Sequence, residues 1–459
     1  MHPQRRSFSP RAIRRAARFT PVAALLALPV AVMAQAVITP NPVGRQDLQG
    51  SSPYYIGASQ AFSRDSNIFR AARDPVDRVL LGQRLVADTI STTSLLAGID
   101  QPIGRQRLTA NASVRHNKYQ DESQLDNTGY RLGLGLDWET IERLSGTLSA
   151  VAQQGLARYG IESRPNTTQR NIERARELDA TVQYGGPSVL AIYGLFNHRE
   201  IDYSLPQFDS LEYKRDQAGV GVRYRVGGAL TVGAEARATT GEYPRFQESP
   251  AGSGNFVADE FDRTDLSLTA QWVPSGASQL SARIGAARQK HDVAARDFSG
   301  ATGSLRWDWQ PTGKLGFITE VRRNTGQEID PLTVAGLLNQ VVGDNSFVSN
   351  RLEVRGLYAA TAKIQLDALL SYTRRSLIDT TSLINNPAQL GANAGSDKTT
   401  RLLLGARYQP TRTIELGCSA GREERNSNVS SSGFVTGGPV SYSYRVNSAR
   451  CFAQLLLQP

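Results

Sequence analysis

The chain of 459 residues is 40% hydrophobic and 20% charged, with 52 Lys and Arg against 42 Asp and Glu, for a formal net charge of +10. Six of those ten charges sit in the first 18 residues (Arg5, Arg6, Arg11, Arg14, Arg15, Arg18), and the +4 left beyond them excludes a charge-driven nucleic-acid binder. Aromatic content of 7% and a mean hydropathy of -0.35 suit a soluble secreted enzyme as well as a barrel with one wet face, so composition does not choose between these.

The basic segment is followed by the apolar run PVAALLALPVAVMA, from Pro21 to Ala34. A positive segment, a short apolar core and a small residue at Ala34 or Ala36 predict a secretory signal peptide over 1–34. The run is too short for the roughly 20 apolar residues of a membrane-spanning helix. Residues 35–52 are then expected to form a periplasmic extension, and 53–459 the folded unit.

The first strand is expected near Tyr54 to Phe62. Residues 127–139, NTGYRLGLGLDWE, show the pattern best. Tyr130, Leu132, Leu134, Leu136 and Trp138 fall on one face of a strand, while Arg131, Gly133, Gly135, Asp137 and Glu139 fall on the other. Eight steps from Tyr130 to Trp138 cover about 26 Å of strand, or about 20 Å of height at a tilt near 40°. An apolar stripe of that height ending in aromatics is what an outer-membrane barrel strand presents to lipid.

The same alternation recurs at Leu178 to Tyr184, Ala218 to Tyr224, Leu230 to Ala236, Leu266 to Trp272, Leu305 to Trp309, Ile364 to Tyr372 and Leu402 to Tyr408. Short turn sequences punctuate it: QPIG at 101–104, GGP at 185–187, VGG at 226–228, PSGA at 274–277, QPTG at 310–313 and QPTR at 409–412. Longer polar stretches lie between them, at 63–83, 159–172, 243–259, 329–344, 377–397 and 427–440. These features predict an all-β fold, a transmembrane antiparallel up-and-down outer-membrane β-barrel of about 18 strands (16 to 18), with both termini in the periplasm. A soluble sandwich or propeller also alternates, but strands of 12 to 16 residues are long against the usual five or six.

With the apolar stripes toward lipid, the opposite faces line a lumen. The expected pore-lining residues are Arg105, Arg107, Arg131, Asp137, Arg215, Arg223, Arg237, Arg263, Asp265, Arg306, Asp308, Arg351, Arg355, Arg401 and Arg407, with Arg283 and Arg322 also inward. Arginines outnumber the inward acids, which points to a mild anion preference, unless the charges pair within the wall.

Candidate chemistry is sparse. His116, His198 and His291 fall on strands 3, 7 and 11, too far apart to share a metal or a triad, although His116 could meet Ser91 or Ser94. Acidic residues at Asp65, Asp74 and Asp77, or at Asp259, Glu260 and Asp262, lack the spacing of a calcium loop. No catalytic residue, metal or cofactor is expected. In the last strand Cys451 shares the apolar face with Ala449, Ala453, Leu455 and Leu457, and in the preceding one Cys418 lies at nearly equal distance from the loop joining the two. Opposed residues of an antiparallel pair are close enough for a cross-strand disulfide, which the oxidising periplasm permits.

The run ASQAFSRDSNIFRA, then DTISTTSLLAGIDQPIGRQRLTANASVRHNKYQ and DNTGYRLGLGLDWE, resembles the EpsL-type outer-membrane proteins of exosortase-associated exopolysaccharide operons. That resemblance implies a part in making or exporting an extracellular polysaccharide, with the barrel as its passage across the outer membrane and periplasmic export components as partners. It brings no catalytic signature. Inward arginines suit an acidic glycan or a small anionic solute equally, so a diffusion porin remains the alternative, and an enzyme acting on lipid or glycan a third reading.

Overall fold

The computed structural model describes residues 53–80, 82–141, 143–159, 167–185, 189–248, 253–292, 297–325, 346–378, 394–428, 430–431, 440–441 and 443–458. The expected signal peptide at 1–34, the extension at 35–52, the stretch 329–344 and most of 377–397 and 427–440 lie outside the described residues. Among the described residues, 18 strands form one antiparallel sheet that closes on itself.

The first half of the wall is β1 (Tyr54–Asp65), β2 (Asp88–Ile103), β3 (Gln106–Tyr119), β4 (Asn127–Glu139), β5 (Leu144–Leu156), β6 (Ile172–Tyr184), β7 (Leu190–Tyr203), β8 (Tyr213–Val226) and β9 (Leu230–Glu248). The second half is β10 (Phe256–Ser275), β11 (Ser278–His291), β12 (Phe298–Thr312), β13 (Leu315–Thr325), β14 (Ser346–Ala359), β15 (Ile364–Ile378), β16 (Ala394–Tyr408), β17 (Ile414–Ser427) and β20 (Tyr444–Leu457). Two short strands, β18 (Ser430–Ser431) and β19 (Val440–Ser441), pair with each other outside the wall. The ring closes where β20 runs beside β1, from Ile56 opposite Leu457 to Asp65 opposite Ser448. Both ends of the wall therefore lie on the short-turn side.

Outward side chains form an apolar belt, with Leu95, Val220 and Ile284 each more than 60% exposed. Exposed apolar surface of this extent is stable only against an apolar surrounding. On the short-turn side Tyr54, Trp138, Tyr184, Tyr224, Trp272, Tyr358 and Tyr408 ring it; Phe62 and Tyr130 sit eight residues further along their strands, and Tyr372 stands eight residues beyond Ile364, the register partner of Tyr408. Beyond that second girdle the outward positions are charged: Arg176 with Glu200, and Arg445 with Glu424, pair across strands.

The strands run further than the sequence pattern suggests. Turns after β2, β10 and β12 shrink to 104–105, 276–277 and 313–314, and Gly104 takes a left-handed φ of 62°. The stretch 243–259, expected as a loop, is largely strand, because Tyr243 and Phe261 carry the inward alternation onward into an apolar cluster with Tyr213 and Phe208. The register slips there between Val257 and Asp259, opposite Pro244, which has no N–H for the ladder. Likewise 63–83 is not all loop: β1 continues to Asp65, and the six-residue helix α1 (Pro75–Leu80) follows.

Cys418 and Cys451 are register partners of β17 and β20 and are joined by a disulfide. With the cysteines 33 positions apart in sequence, chain entropy alone allows about 3 to 4 kcal/mol of stabilisation. Replacing both by serine is expected to lower the temperature at which the barrel loses its folded mobility in gel electrophoresis. In the unaltered protein no thiol should alkylate under denaturing conditions until reductant is added, and alkylation without reductant would refute the bond.

Candidate functional site: an arginine-rich lumen with a bridged mouth

Strand alternation decides which charges face inward, and their partners then decide what the lumen presents. On β9 to β17 the inward arginines are neutralised close by. Arg237 bonds Glu235 at 2.6 Å, Arg263 grips Asp265 with two bonds of 2.8 Å, Arg306 grips Asp308 at 2.8 and 2.7 Å, and Arg351 bonds Glu353 at 2.7 Å. Each of these pairs is two residues apart on one strand, so both members share the inner face. Arg322 pairs with Glu320 in the same way. Arg355 lies 3.6 Å from Glu353, Arg407 3.8 Å from Asp367 and Arg401 4.0 Å from Glu423.

The remaining sequence-identified wall residues have other neighbours. Arg215 donates to Asn197 at 2.9 Å. Arg223 donates to Gln183 at 3.0 Å and lies 4.1 Å above the Tyr193 ring, a ring that itself rests over Gly221, where a Cβ would clash at 2.3 Å. Arg131 donates to Gln153 at 2.8 Å, and Asp137 faces inward near the short-turn end, in register with Arg107. Arg107 forks onto Asp100. Arg105 is a correction: it sits in the two-residue turn after β2, exposed, and donates to the Thr140 carbonyl at 3.0 Å. The turn begins later than QPIG implied, so Arg105 never enters the wall.

Sequence periodicity missed several inward or in-folded cations: Arg70, Arg115, Arg158, Arg199, Arg375 and Arg425. Arg375 and Arg425 converge on Asp397, all three buried. Arg70 and Arg158 lie in connections, beyond the reach of any alternation argument. Arg70, with a left-handed φ of 55°, reaches back to Asp65 at 2.8 Å. Arg158, just past the end of β5, ion-pairs with Glu423 on β17 and donates to the Tyr444 hydroxyl on β20 at 3.3 Å.

That last contact crosses the interior, since β20, β1, β2, β3 and β4 all lie between β5 and β17 along the wall. The chain just past β5, at residues 157–159, has therefore turned inward. It meets the connection after β1 there, with Phe69 and Tyr159 edge to face at 5.2 Å inside a buried cluster that includes Ile68, Ile90, Tyr119, Leu125 and Leu156. Burial drives the Tyr159 hydroxyl above its ordinary pKa, and it donates to the Gln169 carbonyl at 2.8 Å.

The histidines stay separate. His116 bonds Thr128 at 3.0 Å on the outer face, while Ser94 faces inward. His198 meets Asp216 at 2.8 Å. His291 is buried against Asp259 at 2.8 Å and Gln289 at 2.7 Å, so it is not the solvated rim residue that its position in sequence suggests. Of the acids considered for calcium, Asp65 is held by Arg70 and Asp259 by His291.

No protein-family model matches the chain, and no curated protein does. Among solved structures it is similar to OpdO of Pseudomonas aeruginosa, at 14% identity and a TM-score of 0.44, over 90% of this chain and 99% of that one. The outer membrane protein opdK of the same organism matches at 12% identity and 0.43, over 88% and 98%. OccAB4 of Acinetobacter baumannii matches at 10% identity and 0.42, over 90% and 99%.

Proposed function

We propose that the protein is an outer-membrane channel through which small solutes diffuse, with a preference for anions, its chain termini on the periplasmic side. The observation that carries this reading is the bridge from Arg158 to Glu423 and Tyr444 across the interior. A passage for a polymer needs an unobstructed bore, whereas a small solute needs only the space beside a constriction. Support for anions comes from the wall itself: acids on β9 to β17 neutralise their arginines, and no carboxylate faces the middle of β20 to β4 among the described residues.

Passage of an extracellular polysaccharide is the second reading, and it has behind it only the resemblance, whose most specific parts are residues 54–139 and the C-terminal hairpin. Deleting the gene separates the two: polymer trapped in the periplasm supports export, and intact surface polysaccharide with slowed uptake of a small anion supports the channel.

Purified protein in a planar bilayer under a potassium chloride gradient is expected to show a reversal potential of anion-selective sign, and cation selectivity would overturn the anion preference. Arg158→Ala removes one partner of a buried ion pair, a change that costs about 3 to 5 kcal/mol locally. It should release the in-folded connection, raise the single-channel conductance and admit larger sugars in liposome swelling. A conductance equal to that of the unaltered protein would show that the bridge does not limit the bore.

A further inference from the structure

The inner face of β20 carries Arg450, only 4% exposed, and none of its three guanidinium nitrogens has a hydrogen-bond partner. A guanidinium cannot shed its proton, and an uncompensated buried charge costs several kcal/mol. The surroundings hold more unmet polar atoms. Gln454, Ser59, Ser94 and Arg115 form a lateral row in which each is the register partner of the next, across β20, β1, β2 and β3. The oxygens of Gln454, Ser59 and Ser94 are buried and unpartnered, the two serine side chains at 5% and 2% exposure.

Between Arg450 and this row the floor is low. Ala61 stands beside Phe452 in the register, and the Phe452 ring is laid the other way, over Gly417 of β17. Arg115 is half-buried and repels both Arg450 and Arg131. The nearest inward carboxylates sit at the two ends of these strands and are engaged: Asp65 by Arg70, Asp100 by Arg107, and Asp88 by the backbone amides of Gln120, Asp121 and Glu122. Glu415 is the register partner of Gln454 and continues the row onto β17, two strands from Ser59.

We infer that the wall of β20, β1, β2 and β3 is a binding site for a small oxyanion, a carboxylate or a sulfate-like group, held by Arg450 and Arg115 with the hydroxyls of Ser59 and Ser94. Two cations supply the charge and two rotatable hydroxyls the remaining donors, and the one acid that continues the row, Glu415, stands beyond Gln454 on β17. The site deepens the anion-channel reading and rests on it for its role as a step on the permeation path.

The test reads stability, so that it stands apart from conductance. Full-length protein in detergent is heated in sodium chloride, sodium sulfate or sodium acetate at matched ionic strength, and its unfolding midpoint is followed. Sulfate or acetate should raise the midpoint saturably where chloride does not, and whichever of the two acts at lower concentration identifies the preferred group. Arg450→Met should weaken that response by about tenfold or more, the equivalent of one charge-assisted hydrogen bond. In chloride alone it should unfold at or above the midpoint of the unaltered protein, because a buried unpaired charge has gone. Ser59→Ala with Ser94→Ala should also weaken the response, and Arg306→Gln, whose arginine is already held by Asp308, should keep it. An equal shift in chloride, a full response in Arg450→Met, or a loss of stability in that variant that is the same in every salt would overturn the site. A positive result in a protein that conducts nothing would refute the channel and leave the site standing.

Discussion

The structure depends on one closure, the pairing of β20 with β1. In lipid every backbone N–H and C=O must find its partner within the protein, and a sheet meets that demand only when its first and last strands bond each other. Once they do, the alternation of each strand is fixed for the whole ring. A slip of β20 by one residue against β1 would turn Cys451 into the lumen and Arg450 toward lipid. Register at this seam therefore sets the inner surface as well as the outer one.

Two kinds of polar interior follow from that register. Along β9 to β17 the pattern Arg-x-Asp or Arg-x-Glu, in either order, places opposite charges on one face, and the pairs hold each other against the wall. Across β20 to β4 the inward positions between the strand ends are Ser, Thr, Ala, Gly, Asn, Gln, Leu, Phe and Arg, without a carboxylate. Here Arg115 and Arg450 have no carboxylate acting on them, and the chain just past β1 folds toward this sector with Arg70 locked on Asp65, while Arg158 reaches Glu423 on β17. The proposed anion preference rests on that asymmetry more than on the total number of arginines.

Most of the fold was legible because a barrel strand advertises itself twice, by the period of its side chains and by the turn that ends it. The strands at Tyr54 and Asn127 follow from that pattern directly. Legibility failed where tertiary contacts extend a strand through polar sequence, as at Tyr243 to Glu248, or pull a connection into the bore, as at Arg70 and Arg158. Neither event leaves a periodic trace. Wall arginines such as Arg237 and Arg263 could be assigned a face from sequence, yet their partners depend on neighbouring strands and on chain two residues away. Arg115 was hidden for another reason: His116 and Lys118 make its strand polar on both faces, so alternation has no contrast to show.

The disulfide and the unpartnered arginine are neighbours on β20 and point opposite ways. Cys451 faces Cys418 on the outer side, and Arg450 stands beside Ser419 on the inner side. A buried guanidinium without a partner favours any fluctuation that lets it reach water, and β20 is the strand whose departure would open the ring. Covalent attachment one residue away removes the cheapest such fluctuation, because β20 cannot peel from β17 at that point while the bond is intact. The wall can then keep Arg450 aimed inward, as the proposed anion site requires, while β20 stays fastened to β17.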